Sequence, residues 1–149
     1  MIGSIVASDH ALRSRLARVA AATAGGRSFN RIGMLMCTAA WQGGDAWLDE
    51  LIDYLSENKR IFEDGVGKIP GLRAMQIEAT YLCWIDFTNT GMDREEFTRR
   101  VEKVAQIAVN HGNTFGAGGD TFLRFNIACR RQLVIEAVDR LTRAFSDLQ

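Results

Sequence analysis

The chain has 149 residues, of which 47% are hydrophobic and 24% charged. That is the balance of a globular domain, and it excludes a disordered acidic or basic tail. Eighteen Lys and Arg offset eighteen Asp and Glu, so no overall field draws in nucleic acid or an anionic membrane.

The N-terminal MIGSIVASD lacks the basic start of a signal peptide. Residues 9–24 then read as a helix, with Asp9 as N-cap and Leu12, Leu16 and Val19 or Ala20 at helical spacing. Gly25-Gly26 ends it, and Ser28 is placed to cap a second helix over 29–42. This helix is apolar nearly all round, with Ile32, Met34, Leu35, Met36 and Trp41, and only Arg31 charged. Such a helix needs cover on every side. The uncharged window that overlaps it, Ile32 to Gly44, is too short to span a bilayer. Asp45 opens a third helix to about Val66, with a stripe of Leu48, Leu51, Ile52, Leu55, Phe62 and Val66.

The period changes after the Gly67–Gly71 turn. Arg73–Ile77 and Tyr81–Phe87 read as strands, the second richer in aromatic and β-branched residues. Asp93 with Glu96 forms a capping box for a helix that turns Phe97, Val101 and Val104 inward. Ile107–Asn110 is strand-like, and residues 111–120, HGNTFGAGGD, are a glycine-rich loop. Phe122–Ile127 alternates cleanly, with Leu123, Phe125 and Ile127 on one face and Phe122, Arg124 and Asn126 on the other. A last amphipathic helix carries Val134, Ala137, Val138, Leu141 and Phe145. The order ααα-ββ-α-ββ-α predicts an α+β fold with a small, mostly antiparallel sheet covered by helices.

Charge is uneven along this order. Residues 1–44 carry Arg13, Arg15, Arg18, Arg27 and Arg31 against Asp9 alone, whereas residues 45–66 are acidic. These segments read as solvated helix faces with local pairing; a basic binding surface is the alternative, with no run of five like charges behind it. Cys37, Cys83 and Cys129 include no C-x-x-C pair, which argues against a disulfide framework or a zinc site and for reduced thiols in a cytoplasmic protein. His10 and His111 have no ligand-spaced partners, so no metal site is expected. Gly116–Gly119 lacks the G-K-[ST] of a phosphate loop and leads into a strand, so its glycines serve a tight turn. Arg124 is the most suggestive side chain: mid-strand, sharing a face with Asn126. A guanidinium there can fork a carboxylate, or it can be an exposed sheet arginine or half of an internal ion pair.

Three blocks carry a resemblance: 76–87 (QIEATYLCWIDF), 106–128 (QIAVNHGNTFGAGGDTFLRFNIA) and 134–141 (VIEAVDRL). They resemble the C-terminal part of fold type I pyridoxal-phosphate (PLP) enzymes, in the aminotransferase-like C–S lyase branch of MalY/PatB-type cystathionine β-lyases. Residues 7–16 and 41–60 fit the same branch in the same order, so the likeness covers nearly the whole chain. It implies that Arg124 holds the α-carboxylate of a sulfur-containing amino acid, with Asn126 beside it. Ile77 and Arg130 stand where the family has proline, and Asp120 where it has glutamate; losing the prolines loosens two turns.

A PLP enzyme needs a lysine for the Schiff base, an acid for the ring nitrogen and a phosphate cup. The only lysines are Lys59, Lys68 and Lys103, all placed on outer helix faces or in a turn. The resemblance therefore implies a chain starting just beyond the family's Schiff-base lysine, with residues 1–44 a helical remnant of the large domain and 45–149 the small domain. Three functions follow. The chain is a fragment of a C–S β-lyase or aminotransferase, inactive alone and not binding PLP covalently. Or it works with a complementary large-domain chain that supplies the lysine. Or it is a stand-alone interaction module. The bare second helix predicts a homo-oligomer, with Met34, Leu35 and Trp41 at the contact.

Overall fold

A computed structural model of the chain describes residues 6–23 and 30–148. The chain divides into two units, 1–50 and 51–149. In the first, α1 (His10–Thr23) starts where Asp9 Oδ1 accepts the Leu12 N–H at 2.8 Å. Helix α2 spans Arg31–Gly43. Its cap is Asn30, whose side chain accepts the Gly33 N–H at 3.1 Å, and not Ser28. Ser28, Phe29 and the Gly25-Gly26 stop lie outside the described residues. No residue of α1 or α2 is buried, and Ile32, Leu35, Met36 and Trp41 are 69–76% exposed.

Helix α3 (Asp45–Val66) runs from the first unit into the second. Its expected apolar stripe divides: Phe62 and Val66 are buried, whereas Leu48 and Ile52 are exposed. The second unit also contains β1 (Arg73–Ala74), β2 (Leu82–Asp86), α4 (Arg94–Arg99), β3 (Asn110–His111), β4 (Phe122–Asn126) and α5 (Arg131–Ala144). The four strands pair antiparallel in the order β1-β2-β4-β3.

Two strands differ from the sequence expectation. The strand placed at 73–77 keeps two residues, because the Ile77 carbonyl accepts from Lys59 Nζ at 2.8 Å. Lys59 therefore does not lie on the outer face of α3; it is half-buried against the chain. The strand placed at 107–110 shifts to 110–111. The Ile107 N–H donates back to Val101 O, and Gln106 takes a left-handed φ of 56° before the strand can start. Just upstream, α4 widens into one π-type turn over Arg100–Val104, with Ala105 N–H reaching Arg100 O at 2.8 Å. The extra residue in that turn moves the inward position from Val104, 53% exposed, to Ala105. Asp93 caps α4 through the Glu96 N–H. Glu96 does not complete the box; its carboxylate turns to Arg99 and Arg100.

The core lies on one face of the sheet. Cys83, Ile85, Leu123 and Phe125 meet Phe62 and Val66 of α3, Phe97 and Val101 of the α4 region, and Leu141 and Phe145 at the end of α5. Phe87 stacks on Phe97 at 4.7 Å, and Phe62 meets Phe125 at 5.4 Å. Each such ring buried contributes about 1.5–3 kcal/mol. Cys83 is sealed there, and burial pushes its thiol up to about 12, so it is an inert core residue.

Asn58 and Asp86 are the buried polar side chains among the described residues, and Asn58 has no exposed surface. Its Nδ2 donates to Ile127 O and Cys129 O, both at 3.0 Å, and Arg131 N–H reaches Tyr54 Oη at 2.8 Å. These bonds hold the link from β4 to α5. Arg130 has φ −60°, the value proline enforces, so this turn keeps its form without the ring. Asn58→Ala should lower the unfolding free energy by about 1–3 kcal/mol, because the Cys129 carbonyl loses its partner and the Ile127 carbonyl keeps only the Cys129 N–H. Urea unfolding checks this, and an unchanged midpoint would contradict it.

Two carboxylates tie stability to pH. Hydrogen bonds from Arg99 and Arg100 bring Glu96 down to about 2. For Asp86, burial acts upward, but the Thr88 hydroxyl and N–H together with Arg73 outweigh it and hold the group below its ordinary value. Both values are depressed on folding, so their stabilisation is present above the ordinary carboxylate range and is lost as pH falls through the folded values. The denaturation midpoint should be flat above about pH 5 and fall toward pH 2, less steeply in Glu96→Gln.

Candidate substrate-carboxylate site

The other face of the sheet carries the candidate site. Alternation along β4 puts Phe122, Arg124 and Asn126 on this face, opposite the buried Leu123 and Phe125. Register places Trp84 of β2 directly across from Arg124 on one side and Asn110 of β3 on the other. Arg124 thus stands on an interior strand of the four-stranded sheet.

Its guanidinium is held from two directions. Nη2 donates to Asn110 Oδ1 at 3.0 Å, and Cζ lies 4.3 Å from the centre of the Phe115 ring. Nε is buried and makes no hydrogen bond. Nη1 makes none among the described residues. Six other arginines (Arg60, Arg73, Arg94, Arg99, Arg100 and Arg140) have carboxylates within ion-pair distance. Among the described residues, no carboxylate lies within ion-pair distance of Arg124. A half-buried cation whose flanking groups are neutral presents its free end to an anion.

Asn126 shares the face, two residues along and opposite Leu82. Its Oδ1 accepts the Ala128 N–H at 2.8 Å, so that oxygen serves the turn out of β4, while its Nδ2 remains on the face shared with Arg124. Beside Arg124 runs an open groove of about 460 Å³, walled by Met75, Trp84, Phe115, Phe122 and the loop 116–119. Trp84 meets Phe115 edge-on at 5.2 Å and Phe122 at 6.2 Å. The loop is closed by contact between Gly112 and Gly119: a Cβ on either would stand within about 2.3 Å of the other's carbonyl oxygen. Its glycines act in backbone closure, with positive φ at Gly116 and Gly118.

Asn110, Phe115 and Trp84 were not singled out in the sequence. Only the strand register brings them to Arg124; the one local signal was Phe115 inside the HGNTFG block. His111 lies 2.8 Å from Glu102, a partner nine residues away that the spacing argument passed over. Among the described residues, no three His, Cys, Asp or Glu side chains gather to hold a metal. No helix of the described residues is long and apolar enough to cross a membrane.

The three lysines lie apart from Arg124's strand face. Lys59 is occupied by the Ile77 carbonyl and lies 3.9 Å from Glu63. Lys68 is exposed in the turn after α3, and Lys103 is exposed on the π-turn. None lines the groove beside Arg124.

No protein-family profile matches the chain. Among curated proteins, it is 30% identical over 118 residues to the cystathionine β-lyase PatB of Bacillus subtilis, covering 78% of this chain and 30% of PatB. It is 31% identical over 107 residues to the protein MalY of Escherichia coli, covering 71% of this chain and 27% of MalY. Among solved structures, cystalysin from Treponema denticola, which contains a pyridoxal 5'-phosphate cofactor, superposes with a TM-score of 0.80 at 32% identity, covering 97% of this chain and 36% of cystalysin. OvoB gives a TM-score of 0.80 at 33% identity, covering 95% of this chain and 35% of OvoB. The chain spans about a third of the length of these relatives. Sequence and fold agree: the chain is related to the PLP-dependent fold type I enzymes of the cystathionine β-lyase branch and corresponds to their C-terminal small domain.

Proposed function

We propose that this chain supplies the substrate-carboxylate arm of a PLP-dependent C–S β-lyase or aminotransferase and lacks the cofactor anchor. The observation behind this is Arg124, a half-buried guanidinium with no counter-charge and an unengaged Nη1, in the strand block shared with the family. PLP, when bound, stabilises negative charge at the substrate α-carbon. This chain's part is to hold the carboxylate on Arg124, with Asn110 and Phe115 fixing the guanidinium plane. The three lysines, none of them lining Arg124's groove, favour a lysine-bearing large domain supplied by a complementary chain. In this reading residues 1–44 extend from the large-domain side, and residues 45–149 are the small domain. Acting alone, the chain does not catalyse.

The test is reconstitution. When a lysine-bearing large-domain chain restores turnover of a sulfur-containing amino acid, Arg124→Ala should weaken substrate binding by about 1.5–3 kcal/mol, about ten- to hundredfold in KM. Unchanged KM and kcat would remove Arg124 from the site.

A second feature favours self-association. Helix α2 exposes Ile32, Leu35, Met36 and Trp41 together, with Met34 half exposed. Apolar surface of this extent on one short helix gains roughly 25 cal/mol per Å² when covered. A two-fold pairing through Met34, Leu35 and Trp41 makes the chain a homo-oligomer. Sedimentation at micromolar concentration should show a species larger than one chain that Leu35→Lys dissociates. A single-chain species, unchanged by the substitution, would contradict this.

A further inference from the structure

The geometry points to His111 and Glu102 as a positioning pair for Arg124, acting from the opposite face of the sheet. This inference rests on the carboxylate reading of Arg124 and adds the residues that keep its guanidinium in place.

Both groups that hold Arg124 hang from one short stretch of chain. Asn110, the hydrogen-bond acceptor, belongs to β3, and Phe115, the ring against the guanidinium, lies on the turn that follows. β3 is an edge strand of two residues, paired through Asn110 with Arg124 and His111 with Leu123. So short an edge ladder is weak on its own. The chain before it adds little, since residues 106–109 form no strand and Gln106 has a left-handed φ of 56°.

The residue after Asn110 provides a further tie. Successive strand residues face opposite ways, so Asn110 reaches Arg124 while His111 turns to the other face. There His111 Nε2 lies 2.8 Å from Glu102 Oε1. An ionised carboxylate only accepts, so Nε2 donates. His111 serves the second holder as well. Its carbonyl accepts the Thr114 hydroxyl at 2.6 Å, which fastens the turn presenting Phe115.

Glu102 stands on the π-type turn over Arg100–Val104. Single turns of this kind inside helices are frequent at functional sites. The cleft between this turn and His111 also holds Arg94, Glu95, Arg99 and Lys103. Arg94 pairs with Asp120 and Arg99 with Glu96, and among the described residues Glu102 is the carboxylate that reaches His111. A guanidinium held in one orientation gives up less freedom when it takes an anion, so the tie acts on affinity without touching the ligand.

Nuclear magnetic resonance of the full 149-residue chain tests this, with acetate as the anion and the Arg124 Nε–H as reporter. Arg124→Gln should abolish acetate binding. Glu102→Ala and His111→Ala should each shift the Nε–H signal and weaken binding roughly three- to tenfold. The double variant should be no weaker than either single one, because all three remove the same bond. Glu102→Gln keeps an acceptor oxygen and should restore binding to within about twofold of the unmodified chain. Equal acetate affinities with an unmoved Nε–H, or losses that add in the double variant, would overturn the pair's role and leave the carboxylate reading standing. No acetate binding, or binding indifferent to Arg124→Gln, would overturn the carboxylate reading. The Nε–H signal then decides the pair alone, a shift in the alanine variants upholding it and an unmoved signal removing it.

Discussion

Arg124 lies half-buried on β4, between β2 and β3 of the four-stranded sheet, and no described carboxylate meets its charge. What holds it is neutral: an amide oxygen from Asn110 at 3.0 Å and the face of Phe115 at 4.3 Å. That arrangement orients the guanidinium without neutralising it. The surrounding arginines show the contrast. Arg60, Arg99 and Arg140 pair with carboxylates three or four residues away on their own helices, and such exposed pairs are worth little. Arg124 sits on a strand, where no residue at that spacing can reach it, and its neighbours across the sheet are Trp84 and Asn110. On the proposed reading, the sheet holds this cation for a substrate carboxylate.

The rest of the second unit fixes that sheet. Its other face is packed by Phe62 and Val66 of α3, by Phe97 and Val101, and by Leu141 and Phe145. A one-residue slip of β4 against β2 would drive Arg124 into this core and bring Leu123 and Phe125 out, so packing locks the register that aligns Arg124 with Trp84 and Asn110. The glycine contact between Gly112 and Gly119 closes the loop that carries Phe115. Asn58 and Tyr54 hold the chain where β4 leaves the sheet. The two positions at which the resemblance leads one to expect proline are held in other ways. Arg130 already takes a proline-like φ, and the Ile77 carbonyl is bound by Lys59.

Much of this was legible in the chain, and the gaps have physical causes. The alternation of Phe122–Ile127 predicted both faces of β4, because a half-buried strand has period two and nothing else in the segment competes. Asp9 and Asp93 were legible as caps, since capping is a local hydrogen bond. Val104 was misplaced because a single π-type turn adds a residue that no periodicity reports. The strand at 107–110 was misplaced because Gln106 takes a positive φ with no glycine to signal it. Asn58 was not singled out, because its burial depends on carbonyls about seventy residues away. The same limit applies to the site. Arg124 stood out as a charge between apolar neighbours, whereas Asn110, Phe115 and Trp84 become its partners only through pairing between distant strands.

The central claim is that this chain carries the carboxylate-holding arm of a PLP enzyme and no lysine that anchors the cofactor. The most direct measurement is to add PLP to the purified chain, record its absorbance, reduce with borohydride and locate any labelled lysine by mass spectrometry. The account predicts the spectrum of free PLP and no more than scattered, substoichiometric labelling of Lys59, Lys68 and Lys103. A shifted absorbance band with one lysine labelled stoichiometrically would contradict it.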